Sequence, residues 1–222
     1  MIKLEDIISK KTKHVVMKTL WPMLQSLGHF FDAEESSKEV TQDDWFSLSS
    51  NVKKGDVILS SIANNPGNLF LPGKAKHASI VTSADPRNPQ LVEAVSSGVR
   101  RISLYTFMKN KSYLAHFRSR RFSEEFADKA SCIAELMIGT PFDHVFSPSN
   151  NWLYCSEVVY ESYKKAYLST LGEKVELNVP NESNYDKGFP LKMKVRCGEL
   201  TYIPDDIRVD GKNWEFLWSN TN

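Results

Sequence analysis

The sequence predicts an α+β domain in which one end of a helix packs a cysteine against an antiparallel sheet. Three observations carry this. Residues 55–118 alternate short apolar runs with turn signals, as strands do. Two later segments, 123–139 and 155–168, carry apolar residues at helical spacing. Cys155 stands at the first turn of the second of these, in the run Asn151-Trp152-Leu153-Tyr154-Cys155-Ser156-Glu157.

The elements follow in order. Residues 1–31 read as one or two helices, bent or broken near Pro22. Val16, Leu20, Met23, Leu24, Leu27 and Phe31 keep helical spacing, which favours a helix packed on the core over one that lies on a membrane or a partner. Residues 32–50 are acidic and polar and read as a connector, which makes 1–50 an N-terminal helical extension and 51–222 the main domain. A strand follows Gly55 through Ser61, and Asn64-Asn65-Pro66-Gly67-Asn68 is a loop. Residues 77–82 and 90–95 form two strands around the Asp85–Pro89 turn, so 77–95 is a hairpin. Val99 to Leu104 and Tyr113 to Arg118 continue the β pattern. Ser123 caps a helix with Glu124 and Glu125 in its first turn, and Gly139 ends it. Residues 172–222 are turn-rich with short apolar runs.

Composition sets bounds. The chain has 222 residues, 41% hydrophobic and 25% charged, as soluble globular domains do, and its length suits one good core. A net charge of +1 gives no bulk attraction to nucleic acid, and Arg118-Ser119-Arg120-Arg121 reads as a solvated strand end. Three cysteines, Cys132, Cys155 and Cys197, fit free thiols better than a disulfide framework. No Cys or His spacing suits zinc, so neither a metal nor another cofactor is expected. Glu5 and Asp6 spoil a signal peptide, and 14–31 is too short and interrupted for a membrane span, which points to the cytoplasm. Delivery outside the cell by another route would leave no mark of this kind.

The chemistry centres on three residues. A thiol at a helix start feels the positive end of the helix dipole, which favours the nucleophilic thiolate. Cys155 is thus the candidate nucleophile. His77, at the start of a strand, is the candidate base and later the acid for the leaving group. Glu93, sixteen positions on, shares a face with His77 across the hairpin and would orient the imidazole. A carboxylate in an apolar strand needs a partner, which strengthens that reading. The amide of Cys155 offers one oxyanion donor; Tyr154, Asn150 and Asn151 are candidates for a second. His14, His29, His116 and His144 compete less well for the base, and Cys132 and Cys197 read as structural.

At this point the residues match a family. Ile138-Gly139-Thr140-Pro141-Phe142-Asp143 followed by Tyr154-Cys155-Ser156-Glu157 resembles the NlpC/P60 cysteine peptidases, in which the cysteine precedes the histidine. Here His77 precedes Cys155. With Gly55-Asp56-Val57-Ile58-Leu59, His77-Ala78-Ser79-Ile80-Val81, Val92-Glu93-Ala94 and Thr201-Tyr202-Ile203-Pro204-Asp205-Asp206-Ile207, the order resembles the circularly permuted, YiiX/YebB-like branch over about 55–207. The resemblance implies a permuted papain-like fold, a Cys155–His77–Glu93 triad, and hydrolysis of an amide in a cell-wall peptide or other amino-acid conjugate through a thioester. Phe142 stands where that pattern usually has tyrosine, so substrate contacts are expected at Phe142 and Tyr154. The lecithin:retinol-acyltransferase-like proteins share the His-before-Cys order. They imply the alternative of acyl transfer or hydrolysis on lipid, which an apolar N-terminal helix would suit. A third reading is a papain-like scaffold that only binds.

Overall fold

The computed structural model describes residues 40–63, 71, 73–144, 151–171 and 203–221. The expected helices at 1–31, the 64–68 loop, Cys197 and Asn150 lie outside the described residues. The elements are α1 (Gln42–Asn51), β1 (Val57–Ser61), β2 (His77–Ser83), β3 (Gln90–Val95), β4 (Gly98–Ser103), α2 (Leu104–Met108), β5 (Tyr113–Ser119), α3 (Glu124–Leu136), α4 (Cys155–Leu171), α5 (Pro204–Val209) and β6 (Trp214–Ser219).

One antiparallel sheet in the order β4-β3-β2-β1-β5-β6 organises the domain. Side chains alternate across it, so each strand feeds two cores. Val57, Leu59, Ala78, Ile80, Val92 and Ala94 face α3 and α4, where Val158, Val159 and Tyr163 cover them. Ile58, Val81, Leu91 and Leu114 face α1 and α2, where Leu48, Leu104 and Phe107 cover them. β1 is buried along its whole length because both its faces are covered. Among the described residues, no helix is long and apolar enough to cross a membrane.

The structure corrects the sequence reading at several points. The end of the supposed connector, 42–51, is a helix. Thr41 and Asp44 exchange side-chain bonds with each other's backbone in a capping box, a start signal that the acidic composition conceals. The fourth strand stops at Ser103, and Leu104 begins a short helix capped by the Ser103 hydroxyl. Ser123 occupies the cap position of α3 without a side-chain cap bond. The tail contributes α5 and an edge strand, β6, paired with β5. Arg118 is no solvated strand end: with the buried His116 it closes on the buried carboxylate of Asp56, at 2.7 Å from each. Cys132 is exposed on α3.

Asp56 also accepts from the Lys53 amide at 2.7 Å, and these partners hold its carboxyl below the usual range despite burial. Beside it, Gly55 adopts φ +82 with Ala127 only 2.6 Å from where a Cβ would sit. The Gly55 carbonyl accepts the Tyr163 hydroxyl at 2.8 Å, which ties the base of β1 to α4. Removing one partner of a buried ion pair leaves the rest uncompensated. Asp56→Ala is therefore expected to lower the unfolding free energy by about 3 kcal/mol in urea titration. A loss below about 1 kcal/mol would show that water replaces the carboxylate.

Candidate active site

The site is built where β2 begins. β2 and β3 pair with Ser79 opposite Glu93, so His77, two residues back, lies diagonally across on the same face. β3 and β4 pair with Glu93 opposite Arg100. Register alone thus sets His77, Glu93 and Arg100 in a row. Glu93 Oε2 accepts from His77 Nε2 at 2.8 Å. Glu93 Oε1 accepts from Arg100 Nε at 2.9 Å, with the Arg100 Nη2 cation 2.8 Å away.

The row lies on the α1–α2 side of the sheet, as the Phe107 ring 5.9 Å from the His77 ring shows. The helix that carries Cys155 packs on the other side, against β2 and β3. The two meet around the end of β2, where the Cys155 thiol is hydrogen-bonded to His77. Because Nε2 is engaged with Glu93, Nδ1 is the ring nitrogen left for the sulfur.

Backbone bonds fix the start of α4. Val99 donates to Thr140 and Gly139 donates back to Val99, at 2.8 and 2.9 Å. Leu153 donates to Pro141 at 3.0 Å and Asp143 to Leu153 at 3.2 Å. The strand edge next to Arg100 is thereby tied, through 139–143, to the residues just before Cys155. Gly98 makes room for this contact, with φ +113 and the Thr140 carbonyl 2.8 Å from where its Cβ would be.

The electrostatics follow from these contacts. Burial pushes the Glu93 carboxyl up, but His77 and Arg100 outweigh it and bring it to about 2. Burial works against an imidazolium at His77, yet Cys155 and Glu93 raise its pKa to about 9. Burial also opposes the Cys155 thiolate. His77 and the amides of Ala78 and Ser156 more than offset this and lower the thiol below its usual value. Each member of the pair thus favours the charged form of the other, thiolate beside imidazolium. Glu157, at the third position of α4, goes the other way: burial and the neighbouring Asp143 raise it to about 8, so it is neutral at pH 7. Its carboxyl faces the Tyr154 amide at 3.4 Å.

Of the residues singled out in the sequence, Cys155, His77 and Glu93 stand together. Tyr154 is 2% exposed and packs with Leu71 and the half-buried Phe142. His116 is committed to Asp56, and His144 packs edge-on against Phe142 at 4.9 Å. Arg100 was missed. Its signal is a basic residue seven positions after Glu93, across the turn at 96–97, opposite a buried carboxylate.

A charge change at Glu93 should be read directly at His77. The imidazolium loses its proton near pH 9 in the native chain. In Glu93→Gln, proton NMR of the imidazole should show that midpoint lower by about one pH unit or more. An unchanged midpoint would mean that Glu93 does not act on the ring.

Comparisons with known proteins agree with this architecture. Residues 51–208 match the model of the permuted papain-like amidase enzyme family, YaeF/YiiX, C92. Over 107 residues the chain is 29% identical to the uncharacterised protein YiiX of Escherichia coli strain K12, a stretch of 43% of this chain and 53% of that protein. The chain thus spans about half the length of the curated relative it matches. The crystal structure of YiiX from Escherichia coli O157:H7, described as a metalloprotein, is similar with a TM-score of 0.54 and 25% identity, covering 75% of this chain and 96% of that one. Among the described residues of this chain, no three His, Cys, Asp or Glu side chains gather as metal ligands. Where such side chains do meet, as His77 with Glu93 and His116 with Asp56, they are bonded to each other. The described residues do not fit a metal ion.

Proposed function

Since the chain belongs to the permuted papain-like amidase family, YaeF/YiiX, C92, we propose that it is a cysteine hydrolase that cleaves an amide bond through a thioester. The observation that carries this reading is the pairing of the buried Cys155 with the half-buried His77, with Glu93 on the far side of the imidazole.

The Cys155 thiolate attacks the substrate carbonyl carbon, and the carbonyl electrons move onto oxygen. The N–H groups at the start of α4 face that oxygen and supply fixed positive potential. As the tetrahedral species collapses, the C–N bond breaks and the His77 imidazolium gives its proton to the leaving amine. His77, now neutral, takes a proton from water as that water attacks the thioester. The acid is released, and the proton returns the site to thiolate and imidazolium. Glu93 stays ionised throughout and holds the ring by its Nε2–H. Arg100 keeps that carboxylate in place.

The substrate is an amino-acid conjugate, with cell-wall peptides as the first class to try. Lipid acyl transfer needs support from the N-terminal segment, which lies outside the described residues. The test is turnover of γ-glutamyl and muramyl peptides by the full chain. Cys155→Ala and His77→Ala should each lower kcat/KM by at least about 10³-fold while the far-UV spectrum is kept. Glu93→Gln should cost less, about 10- to 100-fold, because the ring still has a hydrogen-bond partner. Full turnover by Cys155→Ala would rule the mechanism out.

Acid and alkaline limits come from the same pair. Turnover should rise as Cys155 loses its proton, below the ordinary thiol range of about 8.5, and fall as His77 loses its own near pH 9. The pH profile of kcat/KM checks this. A single rise centred at an ordinary thiol value would contradict a preformed ion pair.

A further inference from the structure

A cation beside the site has no carboxylate to serve. Arg100 is committed to Glu93, and His77 lies between Glu93 and Cys155. Lys111 is not committed in this way. Its side chain is half-buried and makes no ion pair among the described residues. Its Nζ rests over the Phe107 ring at 4.8 Å, and that ring in turn packs 5.9 Å from His77. The turn that presents it is held tightly: Asn110 has φ 62, and the Lys111 amide donates to Met108 at 3.3 Å. The ammonium is close enough to Glu93, Arg100 and Cys155 for their charges to act on it.

Lys111 is also reachable. It lines the open groove between α1 and α2, about 690 Å³ in volume, together with Trp45, Phe46, Tyr105 and Lys109. Burying part of an ammonium without a counter-charge costs stability. The groups that act on one another here set three cations, His77, Arg100 and Lys111, against two anions, Glu93 and Cys155. The site is one negative charge short.

We propose that Lys111 is a specificity residue that receives a carboxylate of the substrate, and that the cleaved amide carries this carboxylate within a few bonds of the scissile carbonyl. The proposal rests on the reading of Cys155 as nucleophile and narrows its substrate class to acidic amides. The carboxylate would complete the charge balance and fix the substrate from the α2 side while Cys155 attacks from the start of α4.

The test uses two alkylating probes of equal size, one anionic and one neutral. Iodoacetate and iodoacetamide label Cys155 in the full chain, and mass spectrometry separates it from Cys132 and Cys197. Any change in thiolate content alters both rates alike, so their ratio isolates recognition of the carboxylate. In Lys111→Gln the iodoacetate-to-iodoacetamide ratio should fall by about fivefold, as expected for loss of one nearby charge. Lys111→Arg, which keeps the charge, and Lys109→Gln, which removes an exposed neighbour, should stay within about twofold of the native ratio. A native ratio in Lys111→Gln overturns the subsite. So does an equal fall in Lys109→Gln, which would mark diffuse steering rather than a site. Slow iodoacetamide labelling of the native chain counts instead against Cys155 as an activated nucleophile, and the ratio still reads Lys111.

Discussion

The site depends on one buried negative charge. Glu93 is 2% exposed in the middle of a β-strand, where an unpaired carboxylate would be very costly. Two cations answer it, one on each neighbouring strand. His77 comes from β2 and Arg100 from β4, and each takes a different oxygen. That division matters chemically. Arg100 holds one oxygen by an Nε–H bond and the nearby Nη2 charge, so the other keeps its direction towards the imidazole. The ring is then turned with Nδ1 towards the helix start. An antiparallel register, set by turns and hydrophobic alternation, has become the alignment of the His77 imidazole.

The same register reaches Cys155 by another route. α4 does not share a sheet face with His77. Its start is placed by the backbone ties that run from Val99 through Gly139–Asp143 to Leu153. Val99 is next to Arg100, so one strand edge carries both alignments. The Tyr163 hydroxyl anchors the middle of α4 to Gly55. A helix held at its start and its middle cannot tilt without breaking a buried hydrogen bond, which suits a site where the reacting atoms need sub-ångström placement.

Much of this is legible in the sequence, for specific reasons. Cys155 is visible because a thiol precedes a helical pattern directly, and local geometry alone sets its electrostatics. His77 and Glu93 are visible because both lie in one short hairpin, whose spacing fixes their relation. Arg100 is less visible: it looks like an ordinary solvent-facing strand residue until the third strand is paired. β6 is missed because Trp214, Phe216 and Trp218 follow a turn-rich tail, and only pairing with β5 gives that alternation a meaning. α1 is missed because acidic composition masks a short helix with a modest apolar side. The α1–α2 groove is invisible for the same reason, since neither of its walls is apparent before folding.

The state of the thiol is a contest between burial and charge. Cys155 is 5% exposed, and burial alone would keep it protonated. The imidazolium, the Ser156 amide and the Ala78 amide together reverse that. A further contribution comes from a group that stays silent. Glu157 lies within the first turn of α4, where an ionised carboxylate would attract the helix dipole to itself and repel a second anion two residues away. Burial beside Asp143 keeps it protonated at neutral pH. The positive end of the helix is left to the sulfur, so the fold favours the thiolate by supplying partners and by withholding a competing charge.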